Sequence, residues 1–233
     1  MKISIVIPSY NYAQFLTECL NSIINQSYDD FEVLISDGGS TDGSVAIGEE
    51  FCAKDSRFRM VSYKDNGQAN AINIGLRNAT GSIQCYLNAD DTFVCSNCLR
   101  WVIDAFSSYP GCRAVGFGGF FIGQNGRVIK EINYRYHPFD HRYNYKRRTA
   151  FLQPGLFWRR DCWERHGFNE KWHYAFDALF FYKIISSEFV LFDNRPVCGY
   201  RLHGENKSLT IRPRRIAELC CLESFKYHPW HYR

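Results

Sequence analysis

Three short segments gather carboxylates, amides and glycines in arrangements suited to an anionic nucleotide. In the first, Asp90 and Asp91 follow Asn88 at the end of an apolar run. Adjacent carboxylates repel each other, and a shared hard cation relieves the repulsion. Mg2+ or Mn2+ binds through one or two carboxylates and completes its shell with substrate phosphates, and such an ion neutralises a diphosphate as it leaves. The same pair also suits the acidic first turn of a helix, and these residues alone leave both readings open. In the second segment, Asp37-Gly38-Gly39-Ser40-Thr41-Asp42-Gly43-Ser44, glycines let the backbone approach a ligand and free amides at a helix start favour anions. Asp37 there can accept hydrogen bonds from a base or a ribose; a glycine-rich turn with an ordinary Asp cap is the alternative. The segment is not G-x-G-x-x-G and has no P-loop lysine, which weakens dinucleotide-binding and ATPase readings. The third segment is Ser9-Tyr10-Asn11.

The surrounding pattern predicts where these segments sit. Residues 2–8 form a continuous β-branched run, the mark of a strand buried on both faces. Asn11 is expected to cap a helix, with Gln14 completing the cap and Phe15, Leu16, Cys19, Leu20, Ile23 and Ile24 on its apolar face. Strands are predicted at 31–36, 58–63 and 81–87, with helices at 42–54 and 68–78 and another after Asp91. Strands alternating with helices argue for a parallel, doubly wound sheet, whose ligands bind at the carboxyl ends of the strands. All three segments fall at such ends. After Pro110 the pattern changes to an antiparallel hairpin, 114–122 and 128–134 around a turn at 123–126. A helix near 177–186 and a strand near 189–200 follow. The whole is read as one α/β domain with a mixed sheet: a donor half to about residue 110, an acceptor half over about 111–210, and a basic C-terminal helix over about 211–233.

At 233 residues the chain can bury a core without covalent staples. Its net charge of +4 suits an anionic small ligand or a membrane surface and does not call for nucleic acid. The ten cysteines are scattered, and residues 3–7 are too short for a signal-peptide core, so free thiols in the cytoplasm are expected. Cys95 and Cys98 form a lone C-x-x-C with no second pair at zinc-finger spacing. No apolar stretch approaches the roughly 20 residues that span a bilayer.

Ser4-Ile5-Val6-Ile7-Pro8-Ser9-Tyr10-Asn11, the 37–44 segment, Gly67-Gln68-Ala69-Asn70-Ala71-Ile72-Asn73-Ile74-Gly75 and Leu87-Asn88-Ala89-Asp90-Asp91 occur in order along the chain. Gln153-Pro154-Gly155-Leu156-Phe157-Trp158-Arg159-Arg160, Tyr174-Ala175-Phe176-Asp177 and Tyr200-Arg201-Leu202-His203 follow. In type, order and spacing these seven blocks resemble the inverting family 2 glycosyltransferases of the GT-A fold, over about nine-tenths of the chain. The resemblance implies a transferase that moves a hexosyl or N-acetylhexosaminyl unit from a nucleotide sugar, a UDP-sugar in the first instance, with GDP- and dTDP-sugars as alternatives. It implies that Asp37 reads the nucleobase in a pocket walled by Pro8 and Tyr10, with Asn11 beside it. It places Asp65 near the nucleotide, Asn88 and Asp90 at the donor, and Asp90 with Asp91 at an Mn2+ or Mg2+ ion. Arg201 is implied at the diphosphate and His203 at the diphosphate or metal. Asp177 corresponds to the base that takes the acceptor's proton. Many relatives carry Asp where this chain has Asn88, which removes one negative charge from the motif.

Trp158, Trp163 and Trp172 are candidates for stacking on sugar rings, with core packing as the alternative. Residues 142–148 interleave cations and tyrosines and are read as an exposed loop that closes over an anionic donor or rests on anionic lipid. Arg212, Arg214 and Arg215 precede a helix carrying Ile216, Leu219, Cys220 and Phe225. It is read either as packed on the domain or as lying on the cytoplasmic face of a membrane, which would suit a lipid-linked glycan acceptor. Two other functions compete. A nucleotidyltransferase would need a glycine-rich, basic phosphate loop after the first strand, where this chain has Pro8-Ser9-Tyr10-Asn11; a non-catalytic nucleotide-sugar-binding relative is suggested by Asn88.

Overall fold

The computed structural model describes residues 1–133, 152–204, 206 and 213–227, with the side chains of 223–227 left aside. The 142–148 loop and Arg212 lie outside the described residues. The chain runs β1 (Ile3–Ser9), α1 (Ala13–Ile24), β2 (Phe31–Asp37), α2 (Ser44–Lys54), β3 (Phe58–Ser62), α3 (Gln68–Arg77) and β4 (Ile83–Tyr86). Then come β5 (Thr92–Phe93), α4 (Cys98–Ser108), β6 (Ala114–Gly123) and β7 (Val128–Ile132). A 3-10 turn (Gln153–Gly155) leads into β8 (Leu156–Arg159), α5 (Arg160–His166), α6 (Phe176–Ser187), β9 (Val190–Leu202) and α7 (Pro213–Tyr227).

The strands assemble into one sheet of order β3-β2-β1-β4-β8-β6-β9-β5, with β7 paired to β6. The first four are parallel, in register from Ile3 opposite Phe31 to Ser9 opposite Asp37. Every residue of β1, β2 and β4 is buried, as strands covered by helices on both faces must be. The predicted hairpin forms, but it is no separate layer. Its first strand enters the main sheet, antiparallel to β8 and parallel to β9. α3 packs so closely on β1 that a Cβ at Gly75 would lie 2.4 Å from Val6 Cγ1.

Two helix starts depart from the expected caps. Asn11 is not the N-cap of α1; that position is Tyr12, and Asn11 adopts φ 58°. Its amide donates to Ser40 Oγ and its side-chain oxygen accepts from the Thr41 amide. The 40–44 loop returns the favour: Asp42 Oδ2 accepts from the Ala13 amide and Ser44 Oγ from the Tyr12 amide. The orphan amides of α1 are thus satisfied across two loops rather than within one. With Asp42 used this way and Gly43 left-handed, α2 begins at Ser44 and not at Asp42.

At the opposite end of the parallel strands, Glu32 is a buried acid that accepts from Ser4 Oγ, from the Thr80 amide and hydroxyl, and pairs with Lys2 and Arg59. Burial opposes its ionisation, but the Ser4 and Thr80 hydrogen bonds and the Lys2 charge hold it at about 2. A carboxyl depressed below its ordinary 4.5 adds stability above that pH and loses it as pH falls toward the folded value. Glu32→Gln is therefore expected to lower the melting temperature at pH 7, with the gap to the native protein closing between pH 4.5 and about 2. A parallel loss across that range in thermal unfolding would contradict the assignment.

Candidate active site

A cavity of about 790 Å³ opens at the carboxyl ends of the parallel strands. Pro8, Ser9 and Tyr10 line it from the end of β1, Gly38 and Gly39 from the end of β2, and Lys64 and Asp65 from the loop after β3. Tyr86 ends β4 and Asn88, Ala89 and Asp90 follow it, and residues 173–178, Tyr200, Asn206, Arg215 and Leu219 supply the far wall. Strand ends that terminate together leave backbone and side chains converging on one crevice.

Asp65 and Gly38 define the inner end. The Asp65 Oδ1 accepts from the Gly67 amide at 2.7 Å, a local turn that fixes the carboxylate. Its Oδ2 lies 2.9 Å from where a Cβ at Gly38 would be, and Cδ2 of Tyr10, a residue 60 % exposed, lies 3.3 Å from the same point. Glycine at 38 is what lets a carboxylate and an aromatic face share this space. Asp37, expected to read a base, does not line the cavity. It is buried, and its carboxylate accepts from the amides of Gly39 and Ser40 and the hydroxyls of Ser40 and Ser62. These bonds shape the loop, as do those of Asn11.

The Asp90-Asp91 pair is divided by the fold. Asp90 faces the cavity, with its Oδ2 2.9 Å from His203 Nε2. Asp91 turns inward, where its Oδ1 accepts from the Arg201 amide at 2.9 Å and its Oδ2 from Asn88 Nδ2 at 3.0 Å. Burial and then the neighbouring Asp90 push the Asp91 carboxyl well above the usual range. Asp91, unlike Asp90, does not line the cavity. Arg201 is not at the cavity either: it is wholly buried, with Nε donating to the Asp90 carbonyl and Nη1 to the carbonyls of Gly123 and Gln124. Its Nη2 pairs with Glu18 at 2.7 Å. The described residues contain no cluster of three His, Cys, Asp or Glu able to hold an ion alone. Asp90 at the cavity wall, with His203 paired to it, would fit a hard cation whose remaining positions are filled by water and substrate phosphate.

Asn88, the departure from the family pattern, has a structural reason. Gln153 Nε2 donates to the Tyr86 carbonyl, so its Oε1 faces Asn88 and needs a donor. Asn88 Nδ2 donates to that oxygen and to Asp91 Oδ2, while its own oxygen accepts from Gln68 Nε2 at 2.8 Å. A carboxylate at 88 could donate to neither.

Asp177 stands on the first turn of α6 and lines the cavity. Burial first, and the Asp177 charge second, push the neighbouring Tyr86 hydroxyl well above its ordinary value. The tryptophans serve the core: Trp158 is wholly buried, Trp163 Nε1 donates to Asn73 Oδ1, Trp172 packs against the core, and none lines the cavity. Gln68, Gln153, Tyr200 and Asn206 are lining residues that sequence reasoning passed over; Lys64 was findable, since it follows the third strand end. Arg215 and Leu219 line the cavity from α7, so this helix packs on the domain through Leu222 and Glu218 while Ile216 stays 52 % exposed. All ten cysteines are free, and no described helix is long and apolar enough to cross a membrane.

The chain matches Glycosyl transferase family 2 over residues 4–181, and it belongs to that family. Chondroitin synthase of Escherichia coli is 31 % identical over 209 residues, 89 % of this chain but 30 % of that protein. An uncharacterized glycosyltransferase of Rickettsia felis is 39 % identical over 92 residues, 40 % of this chain and 15 % of its own length. The chain thus spans less than a third of these relatives. Among solved structures, S. aureus TarS 1-349 in complex with UDP-GlcNAc superposes with a TM-score of 0.72 at 22 % identity, covering 91 % of this chain and 62 % of that one. The mannosyltransferase PcManGT of Pyrobaculum calidifontis, in complex with GDP-Man and Mn2+, gives a TM-score of 0.69 at 20 % identity, covering 97 % and 69 %. The curled mixed sheet is the GT-A fold.

Asn88→Asp is expected to cost about 1–3 kcal/mol of stability, because it leaves a buried acceptor unpaired and adds a charge beside Asp91. Chemical denaturation at pH 7 measures this; an unchanged midpoint would refute the hydrogen-bond account.

Proposed function

We propose that the chain is a glycosyltransferase that moves a sugar, with inversion, from a nucleoside-diphosphate sugar to a hydroxyl of a glycan or lipid-linked acceptor. The observation that carries the reading is one cavity flanked by two separated acids, Asp90 from the β4 end and Asp177 from α6. Inversion is a single displacement, so it asks for one carboxylate to take the acceptor proton and for charge stabilisation at the leaving diphosphate. Asp177 is the base. No covalent sugar–enzyme intermediate is formed.

The nucleobase lies at the Gly38 end, between Pro8 and Tyr10. The role expected of Asp37 passes to Asp65, whose Oδ2 accepts from the ring N–H of uracil, thymine or guanine. Cytosine and adenine present a ring nitrogen lone pair at that position and repel a carboxylate. The donors named for the structural neighbours, UDP-GlcNAc and GDP-Man, both carry bases of the accepted kind, and a UDP-sugar is the first choice. Asp90 and His203 would hold Mn2+ or Mg2+, which when bound neutralises charge on the diphosphate. Asp90 orients the diphosphate side of the cavity, and the aromatic residues Tyr174 and Phe176 shield the acceptor hydroxyl from water.

Incubation with Mn2+ and a panel of nucleotide sugars, with and without glycan acceptors, tests the reading. Asp177→Asn should lower turnover about 100-fold or more and leave donor affinity within about twofold; retained turnover would remove Asp177 from its role. A chelator should abolish turnover, and undiminished activity would remove the metal. Donor binding without turnover under every condition would favour a non-catalytic relative.

Base selection has its own check. Asp65→Asn should weaken UDP binding by roughly 10- to 100-fold, the loss of a charged hydrogen bond, while CDP binding changes little. Equal weakening of both in calorimetric titrations would refute the Asp65 contact.

A further inference from the structure

The segment that leads into α6 is held from outside by an acid on another helix. Glu218, on α7, accepts from the His173 amide through Oε1 at 2.8 Å. Its Oε2 accepts from the amides of Tyr174 at 2.8 Å and Ala175 at 3.0 Å. These donors lie 43 to 45 residues away in the chain. Ala175 is the N-cap of α6 and has no side-chain oxygen with which to cap it. The three amides belong to the N-cap itself and to the two residues before it, so Glu218 anchors the lead-in to α6 from across space where Ala175 offers no side-chain contact of its own. The residue is 8 % exposed. Burial opposes its ionisation, yet the amides of His173, Ala175 and Tyr174 hold the carboxyl below the usual range.

The attachment is reinforced on both sides. Arg214, one turn before, donates from Nη2 to the Lys171 carbonyl at 2.8 Å. Leu222, one turn after, is buried. Between them, Arg215 and Leu219 reach the cavity wall, as do all five residues from His173 to Asp177. One helix, α7, therefore fixes the backbone that leads to Asp177 and contributes to the same cavity.

We propose that Glu218 is the positioning residue for Asp177: its carboxylate clamps the backbone of residues 173–175 and so sets where the first turn of α6 presents the base. The proposal rests on the reading of Asp177 as the base. Displacement of such a group by about 1 Å can cost on the order of 100-fold in rate, whereas the nucleotide is gripped by residues of other elements.

The test uses the full chain with a turned-over donor and acceptor. Glu218→Ala should lower kcat about 10- to 100-fold while donor Kd stays within about twofold, and Glu218→Gln, which keeps an acceptor oxygen, should recover part of the loss. In an Asp177→Asn background Glu218→Ala should add nothing further, because the clamp acts through the base. An additive loss there, or a normal kcat in a folded Glu218→Ala protein, overturns the proposal. If Asp177→Asn alone keeps its turnover, the reading of the base fails instead, and amide exchange separates the two. The amides of His173, Tyr174 and Ala175 should exchange slowly in the native protein and faster in Glu218→Gln at matched global stability. Unchanged exchange at these three positions overturns the clamp whatever the activity.

Discussion

A fully buried arginine organises the turn that carries Asp90 and Asp91. A guanidinium removed from water is costly unless its donors find partners, and Arg201 meets that demand with three backbone carbonyls and Glu18. Those partners come from the turn after β4, from the tip of the β6–β7 hairpin and from α1. Because the Asp90 carbonyl must face Arg201 and the Arg201 amide must find Asp91, the turn has one acceptable orientation. In it Asp90 looks out and Asp91 looks in.

The acids in and around the cavity sort into two groups by position. Asp37, Asp42 and Glu218 each accept from two or more backbone N–H groups, and Asp91 accepts from one together with the Asn88 amide. These four hold loops and helix starts in place. Asp65, Asp90 and Asp177 line the cavity. A carboxylate enclosed by amides is already neutralised by them and has little left to offer a ligand.

Much of the parallel sheet was legible, because buried strands leave continuous apolar runs and the site segments fall where those runs stop. Pro8, Tyr10, Asp65, Asp90 and Asp177 were placed at the cavity on that basis and on the family resemblance. Asn11, Asp37, Asp91 and Arg201 do not line the cavity, for a common reason. Each is diverted by a partner from another loop or strand, between 25 and 111 residues away, and such pairings leave no periodic trace. Glu218 escaped notice in the same way. Its helix read as basic and amphipathic, while the buried acid at 218 answers to amides on a different element.

The order of strands has a consequence for any attempt to re-engineer the molecule. The two halves of the chain are not modules joined by a linker: β8 is the seam between β4 and β6, and β9 lies between β6 and β5, a strand from the first half. Grafting a new second half would have to cut backbone hydrogen bonds along that seam and leave unpaired strand edges, which invite intermolecular pairing. Variation in what this scaffold accepts is therefore confined to the loops and helix faces above the sheet, where residues can change while the ladder beneath them stays intact.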